Sequence, residues 1–157
     1  MDERLDRAPC GYASMADNRV VREVNATLCR MLGYEKRGIC GSSFESLLTR
    51  SSRIFFQIYF LPLIKLNGSV EEMYLTFKTS SGEALPVLLN ASAVERDGEW
   101  AYDCILMPMR RRMEYEQQIQ QAESASSQAK EELERIEKLL RQKRYELDHV
   151  EGSSSME

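Results

Sequence analysis

The reactive side chains of this sequence reduce to one histidine and four cysteines. His149 stands in RYELDHVEG, where an imidazole on a helix could accept a phosphoryl group or simply face water. A phosphoacceptor box of the histidine-kinase kind continues into an extended block and an ATP-binding domain, neither of which is recognisable here. His149 is therefore expected to be a solvent-facing helix residue. Cys10, Cys29, Cys40 and Cys104 are scattered, with no Cys-x-x-Cys pair. Zinc sites and disulfide frameworks need paired spacing, so these thiols are expected to be small buried hydrophobes, with no metal. No glycine-rich phosphate loop, paired carboxylates or Ser/His/Asp set stands out. No catalytic residue is assigned, and a non-enzymatic role is expected.

The bulk properties narrow the role further. The 157 residues make room for one ordinary domain and an appendage, and a 43% apolar content suffices for a modest core. A formal charge of −4 gives neither the basic footprint that nucleic acid requires nor a polybasic membrane patch. There is no apolar run of membrane-spanning length, and the N-terminus MDERLDRAPC is charged where a secretory leader is apolar. A cytoplasmic location is expected, and sequons at Asn25, Asn67 and Asn90 then carry no meaning.

Two stretches follow different patterns. Up to Met109, short apolar runs alternate with turn signals. GYASMA and VVREV flank Asp17-Asn18-Arg19, which reads as a β-hairpin. Asn25 can cap the short helix ATLCRML, which places Leu28, Met31 and Leu32 on one face. Gly33 supplies the left-handed residue that ends it, and Tyr34 can fold back. SSFESLLT reads as another short helix, capped by Ser42 or Ser43. SRIFFQIYFLPLIKLNG is helical over more than three turns, with a kink or early end expected at Pro62. Three strands follow, the first placing Met73, Leu75 and Phe77 on one face, joined by Ser-Ser-Gly and Arg96-Asp97-Gly98 turns. This order implies an α+β fold, with short helices on one face of an antiparallel sheet.

From Arg110 to Val150, glycine and proline vanish. With Ile119 as position a, a heptad seam runs through Ile119, Ala122, Ser126, Ala129, Leu133, Ile136, Leu140, Lys143, Leu147 and Val150. Glu131–Arg135, Glu134–Lys138 and Glu137–Arg141 are favourable i,i+4 pairs, each adding roughly 0.2–0.5 kcal/mol. So narrow a stripe needs a partner helix, and a parallel homodimeric coiled coil is expected. A helix folded back on its own domain is the alternative, and the polar Ser126 and Lys143 bear on register. The final EGSSSME reads as a frayed tail.

The ordered set "PCGYASMADNRVVREVNATLCRMLGYEKRGICGSSFESLLT", "SSGEALPVLLNASAVERDG" and a closing strand before a coiled coil resembles the PAS sensor-domain family. Members share a strand, a turn, V-x-x-V-N and a short helix ending in Gly-Tyr. The middle portion looks like the variety found ahead of bacterial serine phosphatases, diguanylate cyclases and histidine kinases. The resemblance implies a PAS fold, with a five-stranded antiparallel sheet cupped around small helices. It divides the chain into an N-terminal flank (1–7), a PAS domain (8–109), a coiled-coil signalling helix (110–150) and a disordered tail (151–157).

PAS domains hold haem, flavin, a small metabolite or nothing. Haem usually takes an axial histidine, and His149 lies far along the helix, so haem is not expected. Phe44 stands where photoactive members carry their reactive cysteine. Phe77, Val87 and Cys104 stand where polar groups would hold the flavin ring, so flavin is not expected either. The remaining pocket would be apolar, lined by Phe44, Phe56, Tyr59, Phe60, Leu75, Phe77, Val87, Leu89, Trp100, Tyr102 and Cys104. It suits a hydrophobic or aromatic ligand with Tyr59, Tyr102 and Trp100 as polar handles; the alternative is a filled core. Asn90 falls on the opposite face.

Family members usually end the last strand in Asp-x-Thr, which couples sheet to output helix. Leu106-Met107-Pro108 stands there instead, followed by Arg110-Arg111-Arg112, whose charges oppose the helix dipole and call for acidic partners. The expected function is a sensory and dimerisation module that passes a conformational change through residues 110–150 to an unidentified partner protein or output domain. A ligand-free scaffold, or the sensory front of a larger kinase, phosphatase or cyclase, is the alternative.

Overall fold

The computed structural model describes residues 1–154; for Arg112, Met113 and residues 151–154 it describes the backbone alone. One compact unit spans Met1–Arg111, and a second begins at Arg112. In the first, a short helix α1 (Glu3–Asp6) precedes strands β1 (Gly11–Ala16) and β2 (Val21–Val24). Helices α2 (Ala26–Leu32) and α3 (Lys36–Ile39) and a 3-10 turn (Phe44–Leu47) follow. Helix α4 (Arg50–Phe55) passes through a π-helical stretch (Phe56–Phe60) into α5 (Leu61–Asn67). Strands β3 (Ser69–Lys78), β4 (Ala84–Arg96) and β5 (Glu99–Pro108) lead to α6 (Arg110–Ser154). The sheet is five-stranded and antiparallel in the order β2-β1-β5-β4-β3, so the last strand occupies its centre.

Local chemistry accounts for each bend. Asn25 caps α2 by accepting the Leu28 N–H at 3.0 Å, and Gly33 ends the helix at φ 77°. The same Asn25 oxygen accepts the Tyr12 N–H at 2.9 Å, while its amide donates to the carbonyls of Leu5 and Cys10 at 2.9 and 3.0 Å. With Ala26 N–H donating to Asp6 and the Thr27 hydroxyl to Ala8, α1 and the chain after it are bound to the start of α2. The flank at 1–7 is thus part of the packed unit.

Pro62 cannot donate, and its ring would strike the carbonyl four residues back in a regular helix. The Leu61 N–H instead reaches back five residues to the Phe56 carbonyl, and Pro62 falls in the first turn of α5, where a missing N–H is tolerated. The irregularity expected at Pro62 is therefore taken up immediately ahead of it. In β3, the pairing slips between Val70 and Met73, with Glu72 at φ 55°. This bulge turns both Val70 and Met73 inward, and Asn90 on the outer face accepts the freed Glu72 N–H at 2.7 Å. Asp97 and Gly98, at φ 52° and 78°, make the two-residue turn between β4 and β5.

The core lies between the sheet and the helices, built from Leu28, Leu32, Ile39 and Ile64 on the helical side and Met15, Leu75, Val87, Leu89 and Leu106 on the strands. On the other face of the sheet, Asp103 accepts the Ser14 hydroxyl at 2.7 Å and is forked by the Arg96 guanidinium. Helix α6 is one continuous element that runs past Val150 to Ser154; the rest of the expected tail, 155–157, lies outside the described residues.

Candidate functional site

Between the helices and the sheet, aromatic rings occupy the middle of the domain. Phe44 from the 3-10 turn meets Phe56 at 5.4 Å and Phe77 edge-on at 5.6 Å. Phe60 stacks on Phe56 at 4.4 Å, and its other side receives Tyr102 edge-on at 6.2 Å. These are offset and edge-to-face contacts, the arrangements in which aromatic pairs attract. Phe44, Phe56, Phe60, Leu75, Phe77, Val87, Leu89, Tyr102 and Cys104 all belong to this buried cluster. The four phenylalanines have no exposed surface. Burial, foremost, and the nearby Asp103 carboxylate push the Cys104 thiol well above its ordinary range, so it is an inert hydrophobe and no nucleophile.

Tyr59 and Trp100 do not join the cluster; they are 50% and 52% exposed. Tyr59 pairs instead with Phe55 at 4.6 Å, on the solvent side with Ile54 and Ile58, because the inward positions of the stretch are taken by Phe56 and Phe60. Trp100 shares the core-facing parity of Tyr102 and Cys104 on β5, but lies near the strand's start, at the edge of the packed interior.

There the sheet, α5 and the β1–β2 turn enclose a rim cleft of about 340 Å³, lined by Asp17, Ile64, Lys65, Gly68, Ala93, Trp100 and Tyr102. Gly68, left-handed at φ 74°, turns the chain out of α5, and its carbonyl accepts the Ala93 N–H at 2.8 Å, fixing one wall to β4. The Tyr102 hydroxyl donates to the Asp17 carboxylate on the other side. Burial first, then that hydrogen bond and the Asp17 charge, push the Tyr102 phenol up to about 12. Sequence reasoning put Trp100 and Tyr102 in one lining but placed neither Asp17 nor Lys65 beside them, because turn and helix ends carry no periodic signal. Among the described residues, no group of three or more His, Cys, Asp or Glu could hold a metal ion.

The overlap of sheet, helices and filled interior with one known fold is decided by comparison. The family model described as "PAS fold" matches residues 1–111. The chain belongs to the PAS family. PAS domains are sensory domains of signalling proteins. Over 119 residues the chain is 40% identical to the phosphoserine phosphatase RsbP of Bacillus subtilis (strain 168), covering 76% of this chain and 30% of that protein. The chain thus spans under a third of the curated relative it matches. Among solved PAS domains, one from a Colwellia psychrerythraea protein superposes with a TM-score of 0.64 at 9% identity, over 69% of this chain and 93% of that one. Another, from a LuxR-family transcriptional regulator of Burkholderia thailandensis solved with ethanol, gives 0.56 at 24% identity, over 69% and 98%. At these identities the structures speak to fold alone.

In the second unit, helix α6 presents its heptad positions to solvent: Ile119, Leu133, Ile136, Leu140, Leu147 and Val150 are each at least half exposed, and Ala122 and Ala129 are exposed as well. Tyr145 and His149 stack at 5.0 Å on the same helix. At the other end, α6 begins within the first unit, where the Arg110 guanidinium meets Glu83 at 3.0 Å and the Met109 N–H donates to the Pro86 carbonyl. The acidic partner called for by the arginine run is, for Arg110, Glu83. Among the described residues no helix is long and apolar enough to cross a membrane.

Proposed function

We propose that this PAS domain is the non-catalytic regulatory part of a cytoplasmic signalling protein of the serine-phosphatase kind, acting as a parallel homodimer paired through α6. The observation that carries this reading is the α6 stripe. Six large apolar side chains at heptad spacing face water on α6, whose other positions, Leu139 and a few aromatic and alanine residues apart, are polar or charged. A single helix does not keep such a stripe exposed without gain from pairing. Connectivity supports the relay: β5, central in the sheet, runs into α6 within two residues. A shift in the sheet would change the pitch or stagger of the paired helices and so reach an output domain or partner protein. The similarity to the phosphatase RsbP supports the class of output, and nothing in the domain calls for nucleic acid or a membrane.

A second reading, a dimerisation scaffold with no internal ligand, is favoured by the close-packed rings of Phe44, Phe56, Phe60 and Phe77. Sedimentation equilibrium with native mass spectrometry tests the pairing. At about 10 µM, ten times a micromolar Kd, the chain should be a dimer, and Ile136→Glu with Leu140→Glu should return it to a monomer. A wild-type monomer under those conditions would remove the proposal. A dimer with a discrete bound mass inside the core would remove the scaffold reading.

A further inference from the structure

We propose that the rim cleft is a binding site for a small aromatic carboxylate, separate from the packed interior of the domain. At about 340 Å³ it lies within the range of small-molecule sites, roughly 300–1,000 Å³, and is large enough for one substituted ring. Its wall is the half-exposed indole of Trp100, with Ile64 and Ala93 as the apolar floor. An indole face left open beside aliphatic carbon is a stacking surface for another planar ring.

The charge at the site selects the sign of the ligand. Asp17 already accepts the Tyr102 hydroxyl, and the neighbouring Arg19 is taken by Glu45 at 2.6 Å. Asp17 keeps its charge but has one oxygen engaged by Tyr102, whereas Lys65 has no ion pair among the described residues, so the ammonium is the charge in the lining with no partner group on it. A carboxylate extended from a ring on Trp100 would be met by that ammonium, whereas an amine would be repelled by it. Tyr102 ties the cleft to the interior, since its ring lies against Phe60 and its hydroxyl holds the β1–β2 turn at the cleft's edge. Trp100 and Tyr102 also sit on β5, the strand that feeds α6. Transmission from the cleft to α6 rests on the relay proposed above; binding in the cleft does not.

Trp100 is the only tryptophan in the chain, so its intrinsic emission reports on this cleft alone. The full chain is titrated with phenylacetate, its neutral amide phenylacetamide and the cation phenethylamine, with melting temperature followed in parallel. Phenylacetate should change the Trp100 emission saturably and raise the melting temperature, with a Kd of about the millimolar order for so small a ligand. Phenylacetamide should bind more weakly and phenethylamine weakest. Lys65→Gln, on an exposed helix position, should weaken phenylacetate by about two- to fivefold, the worth of one exposed ion pair, and leave phenylacetamide unchanged. The proposal is overturned by absence of saturation up to about 50 mM phenylacetate, by any other ranking of the three probes, or by a Lys65→Gln chain that binds phenylacetate as the parent does.

Discussion

The Arg110 guanidinium lies 3.0 Å from a Glu83 carboxylate oxygen, joining the first residue of α6 to the turn that opens β4. A cation at a helix N-terminus is disfavoured by the helix dipole, and Glu83 offsets it. Both side chains are more than half exposed, so the pair contributes no more than about 1 kcal/mol to stability. Glu83→Gln should therefore lower the melting temperature by only a few degrees, while amide exchange in the first turn of α6 quickens. A large loss of stability would show that the pair contributes more than an exposed ion pair does.

Asn25 is fully buried and uses its side chain completely, with two N–H groups accepted and two carbonyls served. Asn25→Ala leaves several of these groups unpaired, at about 1–3 kcal/mol each, and a total loss of about 3–5 kcal/mol is expected by urea titration. Asn25→Asp keeps the cap but turns a carboxylate oxygen toward the Leu5 and Cys10 carbonyls. It should be at least as damaging at neutral pH and partly recover in acid. An aspartate variant as stable as the parent would contradict the assigned orientation of the amide.

These cases show what could be read from the chain. The cap by Asn25, the stop at Gly33 and the hairpin at Asp97-Gly98 are local devices whose residues sit next to the backbone they serve, so they were legible. The bonds from Asn25 to Leu5 and Cys10 were not, because α1 has four residues and no periodicity to announce it. Pro62 signalled a disturbance but not that a π-helical stretch would absorb it, nor that Tyr59 would face outward while Phe56 and Phe60 faced in. The β3 bulge at Glu72 carries no glycine, so nothing local marked it. The cleft draws on a turn, a helix end and two strands, an arrangement that only the assembled fold brings together.

Phe44 fills the place between α4, the π-helical stretch and β3. Phe44→Ala should cost about 3–5 kcal/mol, much of it through the cavity left among rigid rings. The hole would be lined by Phe56 and Phe77 and remain dry. Benzene should then raise the melting temperature of the variant and leave the parent unaffected; benzene stabilising both would mean the parent interior is not filled.

Stability should decline at both ends of the pH scale for identifiable reasons. Burial works against ionisation of Asp103, but hydrogen bonds from Arg96 and Ser14 outweigh it and hold the carboxyl below its ordinary value of 3.8. The folded state therefore prefers the charged form. That stabilisation is complete above 3.8 and is lost as the pH falls through the lower folded value. Thermal melts of Asp103→Asn should show a shallower decline in acid. Tyr102 behaves in the opposite sense: its phenol stays protonated in the fold up to about 12, against an ordinary 10. Its contribution is intact below pH 10 and disappears between 10 and about 12, so Tyr102→Phe should flatten the alkaline limb. An unchanged alkaline limb would mean Tyr102 is not held as described.

The sheet order sets a sequence of events during synthesis. Strand β5 is made last, yet it pairs with β1 on one side and β4 on the other, and its Asp103 meets Ser14 across 89 residues of chain. Until β5 has left the ribosome, the β1–β2 and β3–β4 hairpins have no common neighbour and the aromatic interior is open. Contacts so distant in sequence form late and slowly. Because α6 follows immediately, every residue of the seam emerges behind the strand that closes the domain. If α6 pairs as proposed, two nascent copies meet through it only when each already carries the strand that closes its domain.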